Sequence, residues 1–371
     1  MLCVSQAYTD VVEAFKYDSW NEQYNIEFLQ WRRNTDSKLA FRFSENNLES
    51  VYVTGAAHAK QDIGVTERES LTRCGQVIGT ALLICFVMEI AGESLMEAVL
   101  RLFDIDLQGD FLTLATQGSQ WAVVAVRAVL SLLKYLLPAV LLIRYSKFPR
   151  RVYAPIMPGG IPELSAGVGA GMVIAGIYAL LAQRDGIEMA QNMINYKDPN
   201  AFIVYSAFDV LVSAAAMEIF LRGTILPLLR QFGDYFAVAA TALMAFLFPN
   251  QMPDRIAELL IGIAAGYLMI RSGSLPKCAA LRVVFCVLNY ARLIAVYSVR
   301  NLWLWEYSLL LISLGTLGVM FYVVMRRHSL HMNNRRIVLS ETQKMSALIQ
   351  TVTILPWAAV SVLLMLVQLF Y

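Results

Sequence analysis

The chain has 371 residues, 58% of them hydrophobic and 16% charged, with a mean hydropathy of +0.55. Soluble domains carry about 25% charged residues, so this composition excludes an ordinary soluble globular protein and describes one that resides in a bilayer. A formal net charge of +2 is too small to argue for nucleic acid as a partner.

Residues 1–73 are polar and of mixed charge, with aromatics at Trp20, Tyr24, Phe28 and Trp31 that can pack on a surface. No basic stretch followed by an apolar run and a small-residue cleavage site opens the chain, so no signal peptide is expected. Ser44 to Ser70 is rich in Asn, Glu, Ser and Gly and reads as a linker. From Cys74 onward come apolar runs of membrane-spanning length, about nine at roughly 20 residues each. They are Cys74 to Glu93, Trp121 to Ile143, Leu164 to Ala182, Ala201 to Leu221, Phe236 to Phe248, Ile256 to Ile270, Cys278 to Val299, Leu302 to Met325 and Ala347 to Phe370. The fifth and sixth are short, which suits helices packed among others.

Basic residues recur after the even-numbered spans: Arg144, Lys147, Arg150 and Arg151, then Arg222 and Arg230, then Arg271 and Lys277, then Arg326, Arg327, Arg335, Arg336 and Lys344. Cytoplasmic loops concentrate Lys and Arg, so the expected topology is a multi-pass protein of the cell membrane with a cytoplasmic N-terminus and, if the ninth span is real, an external C-terminus. Gly167-Val-Gly-Ala-Gly171 and Gly262-Ile-Ala-Ala-Gly266 place glycines four apart, the spacing that lets helix backbones approach closely. Pro138 and Pro356 mark kinks or helix ends.

Within the fourth span, Met217-Glu-Ile-Phe-Leu-Arg-Gly223 sets Glu218 and Arg222 four residues apart on one helix face. Charges inside a membrane segment are costly unless paired or facing a wet interior, which makes them a site hypothesis by default. Other polar residues inside spans are Arg127, Lys134, Asp209, Asn289 and Arg292; Arg127 and Lys134, seven apart, share a face. Five cysteines are scattered without metal-ligand spacing. The three histidines are His58 in the polar N-terminal region and His328 and His331 in a basic loop. No metal and no cofactor is expected.

Met217 to Asn289 resembles the core of the CPBP family of intramembrane proteins, the CAAX-type endopeptidases and bacteriocin-related Abi proteins. Members carry Glu-Glu-x-x-x-Arg-Gly, then Phe-x-x-x-His, then His-x-x-x-Asn. Glu218, Arg222 and Gly223 match the second Glu, the Arg and the Gly of the first motif. Gly262-Ile-Ala-Ala-Gly266 and Ser272-Gly273-Ser274-Leu275 resemble the glycine-bearing helix and turn that precede the third. The resemblance implies a water-activating first glutamate, with histidines and asparagine binding metal or stabilising the oxyanion.

Here the first glutamate is Met217, the second-motif histidine falls on Pro249, and the third-motif histidine and asparagine fall on Arg282 and Cys286. A three-residue slip puts Phe285 and Asn289 at the last two positions instead. No register supplies a histidine. Glu218, Arg222 and Asn289 remain the candidate catalytic residues, and Met217, Pro249, Arg282 and Cys286 the vestigial positions. Asp254 or Glu258 can supply a second carboxylate. Arg222, one turn from Glu218, favours its ionised form, opposite to the tuning of a base near neutral pH. Arg282 either neutralises Glu218, contacts a lipid phosphate or snorkels.

The reading is an all-α, polytopic transmembrane helical bundle, with a polar cytoplasmic region and linker over 1–73, a membrane domain over 74–371 and a CPBP-like core at about 201–300. It binds the lipid bilayer and a membrane-embedded peptide, protein or lipid partner, as a pseudoprotease. An active CAAX-type endopeptidase with atypical residues, or a transporter lined by Arg127 and Lys134, are the alternatives.

Overall fold

In the computed structural model of the chain, the described residues are 22–34, 36–41, 56–104, 120–156, 160–182, 204, 207–248, 252–298, 302–326, 332 and 338–370. Among the described residues the regular structure is helical, with turns between helices and one isolated bridge between Ile156 and Ser274. The helices are α1 (Glu22–Asn34), α2 (Ala56–Arg101), α3 (Gln120–Ser146), the single turn α4 (Arg150–Tyr153) and α5 (Ile161–Leu181). A continuous helical run follows, made of Asp209–Ser213, Ala214–Glu218, Ile219–Ile225 and Leu226–Arg230, and is labelled α6. Then come α7 (Asp234–Leu247), α8 (Met252–Ser272), α9 (Leu275–Ser298), α10 (Leu302–Met325), α11 (Glu341–Ile349) and α12 (Ile354–Phe370).

This is a polytopic helical membrane bundle, and helices stand at each of the nine apolar runs. Among the described residues, five helices meet a stricter measure of length and apolarity for crossing a bilayer: Ile63–Gly92 within α2, Ala128–Ser146 within α3, α5, Val210–Arg230 and Leu304–Met325. A sixth arises only if α11 and α12, bent by 86°, count as one. The physical reasons are length and charge. The α7 helix has 14 residues, whereas α8 and α9 carry charges such as Arg255, Glu258, Arg282 and Arg292 along their length.

The stretch read as a linker, Ser44 to Ser70, overlaps the start of α2, which begins at Ala56 and runs 46 residues without a break at Cys74. Glu67 anchors that early part: its Oε2 accepts from the backbone N–H groups of Val338 and Leu339 at 3.1 and 3.0 Å. The segment before it is not separate from the bundle either. Tyr24, Phe28, Trp31, Leu39 and Phe41 are buried in the same apolar core as α6 and α7. The Trp31 indole donates to the Ser146 carbonyl at 2.9 Å. Gln231 pairs with the backbone of this segment twice, accepting from Phe41 N–H at 2.7 Å and donating to the Leu39 carbonyl at 2.9 Å.

Glycines set the packing. Along α5 they point two ways. A Cβ on Gly171 would lie 2.7 Å from the Leu281 carbonyl oxygen of α9, and one on Gly169 would lie 2.6 Å from the Gly315 carbonyl oxygen of α10. The helix is a wedge whose two glycine-bearing faces let two neighbours approach at backbone distance. On α8, Gly262 lies against Ala242 and Gly266 against Val238 of α7.

Gly315 tests this packing. A Cβ there would come 2.5 Å from the Gly169 carbonyl oxygen and 2.8 Å from the Val173 nitrogen. Gly315→Ala is expected to destabilise by about 1–3 kcal/mol through overpacking, read as a lower thermal midpoint in detergent. Gly92→Ala, with nothing within 4 Å of the added carbon, is expected to leave the midpoint unchanged or slightly raised.

Candidate functional site

The site is built where α6, α8 and α9 meet. The α6 helix is not a regular α-helix there. Immediately after Glu218 it widens into seven π-helical residues, Ile219–Ile225, which include Arg222 and Gly223. Such wide turns inside helices are rare and frequent at functional sites. A Cβ at Gly223 would run into the carbonyl oxygen of Tyr153 in α4. The glycine after the arginine is therefore a spatial requirement: it lets the widened turn lie on the α4 backbone.

Glu218 and Arg222 are both fully buried. Arg222 Nε stands 3.5 Å from Glu218 Oε2, too far for a strong hydrogen bond, and its Nη2 donates to the Gly262 carbonyl of α8 at 3.0 Å. The stronger partner of Glu218 comes from α9. Arg282 Nε donates to Glu218 Oε1 at 2.7 Å. The same guanidinium grips Glu258 of α8 in fork geometry, Nη1 to Oε1 at 2.5 Å and Nη2 to Oε2 at 2.7 Å. Arg222, Glu218, Arg282 and Glu258 thus form a chain of two cations and two anions whose formal charges cancel. Charge-assisted, bidentate bonds of this kind are the strong ones, and inside hydrocarbon they answer the desolvation cost of each member.

Met217 is 7% exposed and belongs to the apolar core. Its thioether offers a weak acceptor and no proton-transfer group. Arg282, at the place where the resemblance implies a histidine, lies against Glu218, so of the three sequence readings of this side chain the neutralising one describes its contacts. Phe285 and Cys286 continue along α9; Phe285 packs edge-on to Tyr178 with ring centroids 5.6 Å apart. Asn289 does not join the cluster. Its Oδ1 accepts from Arg292 Nε at 3.1 Å, and Arg292 in turn donates to the Ala182 carbonyl at 2.6 Å. Two helical turns beyond Arg282, it serves the end of α5 instead.

Pro249, His328 and His331 lie outside the described residues, and the His58 side chain is likewise outside them. Among the described residues no group of His, Cys, Asp or Glu could hold a metal ion. Lys134 is engaged by an ion pair with Glu89, so it belongs to a contact between α2 and α3. Arg127 and Asp209 have side chains outside the described set.

Some of this was missed from the sequence. The Gly262 carbonyl as acceptor for Arg222, and the wide turn that brings it within reach, carry no side-chain signal. The Arg282–Glu258 fork did have one: opposite charges alone on neighbouring apolar helices, each needing a partner.

Residues 199–288 match the family model described as type II CAAX prenyl endopeptidase Rce1-like. That span covers α6 to the middle of α9 and contains all four charged residues. No curated protein and no solved structure matches the chain.

Removing the shared cation tests the network. Arg282→Met leaves the part-buried Glu258 without its partner and the fully buried Glu218 with only the longer Arg222 contact, and is expected to cost about 3–5 kcal/mol, seen as a fall in thermal midpoint. The double change Arg282→Met, Glu258→Gln, which leaves Glu218 and Arg222 as a balanced pair, is expected to recover most of that loss. A midpoint unaffected by Arg282→Met would show that the fork does not bear on stability.

Proposed function

We propose that this chain, whose residues 199–288 belong to the Rce1-like family of type II CAAX prenyl endopeptidases, is a catalytically silent member. In this reading it binds a membrane-embedded peptide, protein or lipid partner without cutting it. It sits in the cell membrane with its N-terminus on the cytoplasmic side. The observation that carries the reading is the engagement of Arg282 with both available carboxylates.

A general base for peptide hydrolysis needs an oxygen free of other partners and within reach of water. Glu218 does not meet that condition. It has no solvent exposure, and a guanidinium flanks each of its oxygens. Glu258, the other carboxylate, is held by two hydrogen bonds from Arg282. The position next to Glu218, where an active relative's working glutamate is implied, holds methionine. Arg282 stands where a histidine would stabilise the tetrahedral intermediate, and its donors are turned onto carboxylates.

The orientation rests on the basic residues that follow the apolar runs, Arg144, Lys147, Arg150 and Arg151 among them.

One observation favours the alternative, an active endopeptidase with atypical residues. Glu218 Oε2 and Arg222 Nε and Nη1 have no hydrogen-bond partner among the described residues. A base oxygen and cationic donors therefore lie side by side. One experiment separates the readings. The purified protein in lipid nanodiscs, incubated with membrane-anchored and prenylated peptides, is expected to give no cleavage by mass spectrometry, and Glu218→Gln is expected to lower the thermal midpoint with no effect on the peptides. Cleavage that Glu218→Gln abolishes would establish the endopeptidase and end the silent reading.

A further inference from the structure

A cavity of about 340 Å³ lies between α2, α3, the end of α7, the first turns of α8, and α12. Its walls are mixed, with Phe86, Phe248, Trp357 and Leu364 on the apolar side and Glu89, Lys134, Arg255 and Ser361 on the polar side. Into it projects Arg255, which is 1% exposed. This is the least satisfied large cation of the described residues. Among the described residues its Nε and Nη1 have no hydrogen-bond partner, and Nη2 reaches only the Ser361 carbonyl, at a long 3.5 Å.

The charges of the wall do not cancel. Glu89 is paired with Lys134, and Glu258, one turn along α8 from Arg255, is held by Arg282. One positive charge is left over, buried and with free N–H donors. A guanidinium in that state calls for an oxyanion, and planar Arg groups suit phosphate and carboxylate oxygens. The space equals roughly ten water molecules, enough for a headgroup and not for a pair of acyl chains. Beside it, Ile90 of α2 and Leu363 of α12 are each 61% exposed, so the cavity is flanked by surface that faces hydrocarbon.

We propose that this cavity binds the phosphate of an anionic membrane lipid, with the free donors of Arg255 on the phosphate oxygens and the acyl chains leaving past Ile90 and Leu363 into the bilayer. The inference gives a chemical class to the membrane-embedded partner and rests on that part of the functional reading. Its test reads lipid binding rather than proteolysis, so its failure leaves the silence of the Glu218 centre standing.

Detergent-purified full-length protein is titrated with dioleoyl phosphatidic acid, with diolein, which has the chains without the phosphate, and with inorganic phosphate, which has the phosphate without the chains. Binding is followed by native mass spectrometry and by thermal midpoint. Phosphatidic acid is expected to bind and raise the midpoint; diolein and inorganic phosphate at the same concentrations are not. Arg255→Met is expected to weaken phosphatidic acid binding about ten- to a hundredfold, the scale of a lost hydrogen bond to a charged group.

Equal binding of phosphatidic acid by the variant, or an equal response to diolein, would overturn the proposal. A midpoint shift reproduced by inorganic phosphate would assign the site to free anions instead. Tighter binding of a prenylated peptide with a free carboxylate, lost in the same variant, would assign it to a peptide. Should Arg255→Met fail to fold, the wild-type protein still decides. A phosphatidic acid carrying a photoreactive group near its phosphate is expected to label α12 around Trp357 and α8 around Arg255, and labelling elsewhere alone would refute the site.

Discussion

The guanidinium of Arg282 joins three helices through two carboxylates, and the core of the bundle depends on it. It reaches Glu218 on α6 and Glu258 on α8 from its own place on α9. Arg222 closes the figure by crossing from α6 to the Gly262 carbonyl of α8. Between membrane helices there is little hydrophobic driving force, because lipid tails are as apolar as leucine; association rests on packing and polar contacts. A bidentate fork supplies direction that dispersion cannot. It fixes the rotation of each helix about its axis, because the carboxylates must face the arginine and no other side can.

The price of that arrangement is chemical freedom. Under the proposal of a catalytically silent protein, the same fork occupies both the carboxylates and the arginine that hydrolysis would need. One fork then accounts for the order of the α6–α8–α9 core and, in that reading, for its silence. The Gly223 contact with Tyr153 belongs to the same geometry. By letting the wide turn of α6 settle on α4, it sets the height at which Glu218 and Arg222 face α8 and α9.

Much of the fold was legible in the sequence, because in a bilayer composition and length govern what forms. All the apolar runs are helices, and the glycines of Gly167 to Gly171 and Gly262 to Gly266 mark close contacts as their spacing implies. What composition does not reveal is which helix faces lipid. The α8 and α9 helices are as long as spans, yet they carry charges, of which Glu258, Arg282 and Arg292 are answered inside the bundle, and α11 and α12 are divided by a bend at 349–354. At the site, Glu218, Arg222 and Arg282 were legible as charges in need of partners. Asn289 was read toward them on a motif register, whereas the rotation of α9 gives it to Arg292. Arg255 passed unnoticed beside Asp254 because a charge at a helix start is ordinary. Only the enclosed volume around it makes it unusual.

The docking of α1 has a consequence in time. Asn25 accepts a hydrogen bond at 2.7 Å from Arg230, 205 residues later in the chain, and the rings of Tyr24 and Phe28 lie over the same guanidinium. The α1 segment therefore has no seat until α6, later in the chain, has been made. At about 5–20 residues per second, that is a wait of roughly ten to forty seconds with an aromatic face uncovered. Through that interval the segment needs a temporary cover, from a chaperone or the membrane surface. Its final seating is then a late event, one that reports that the centre of the bundle is in place.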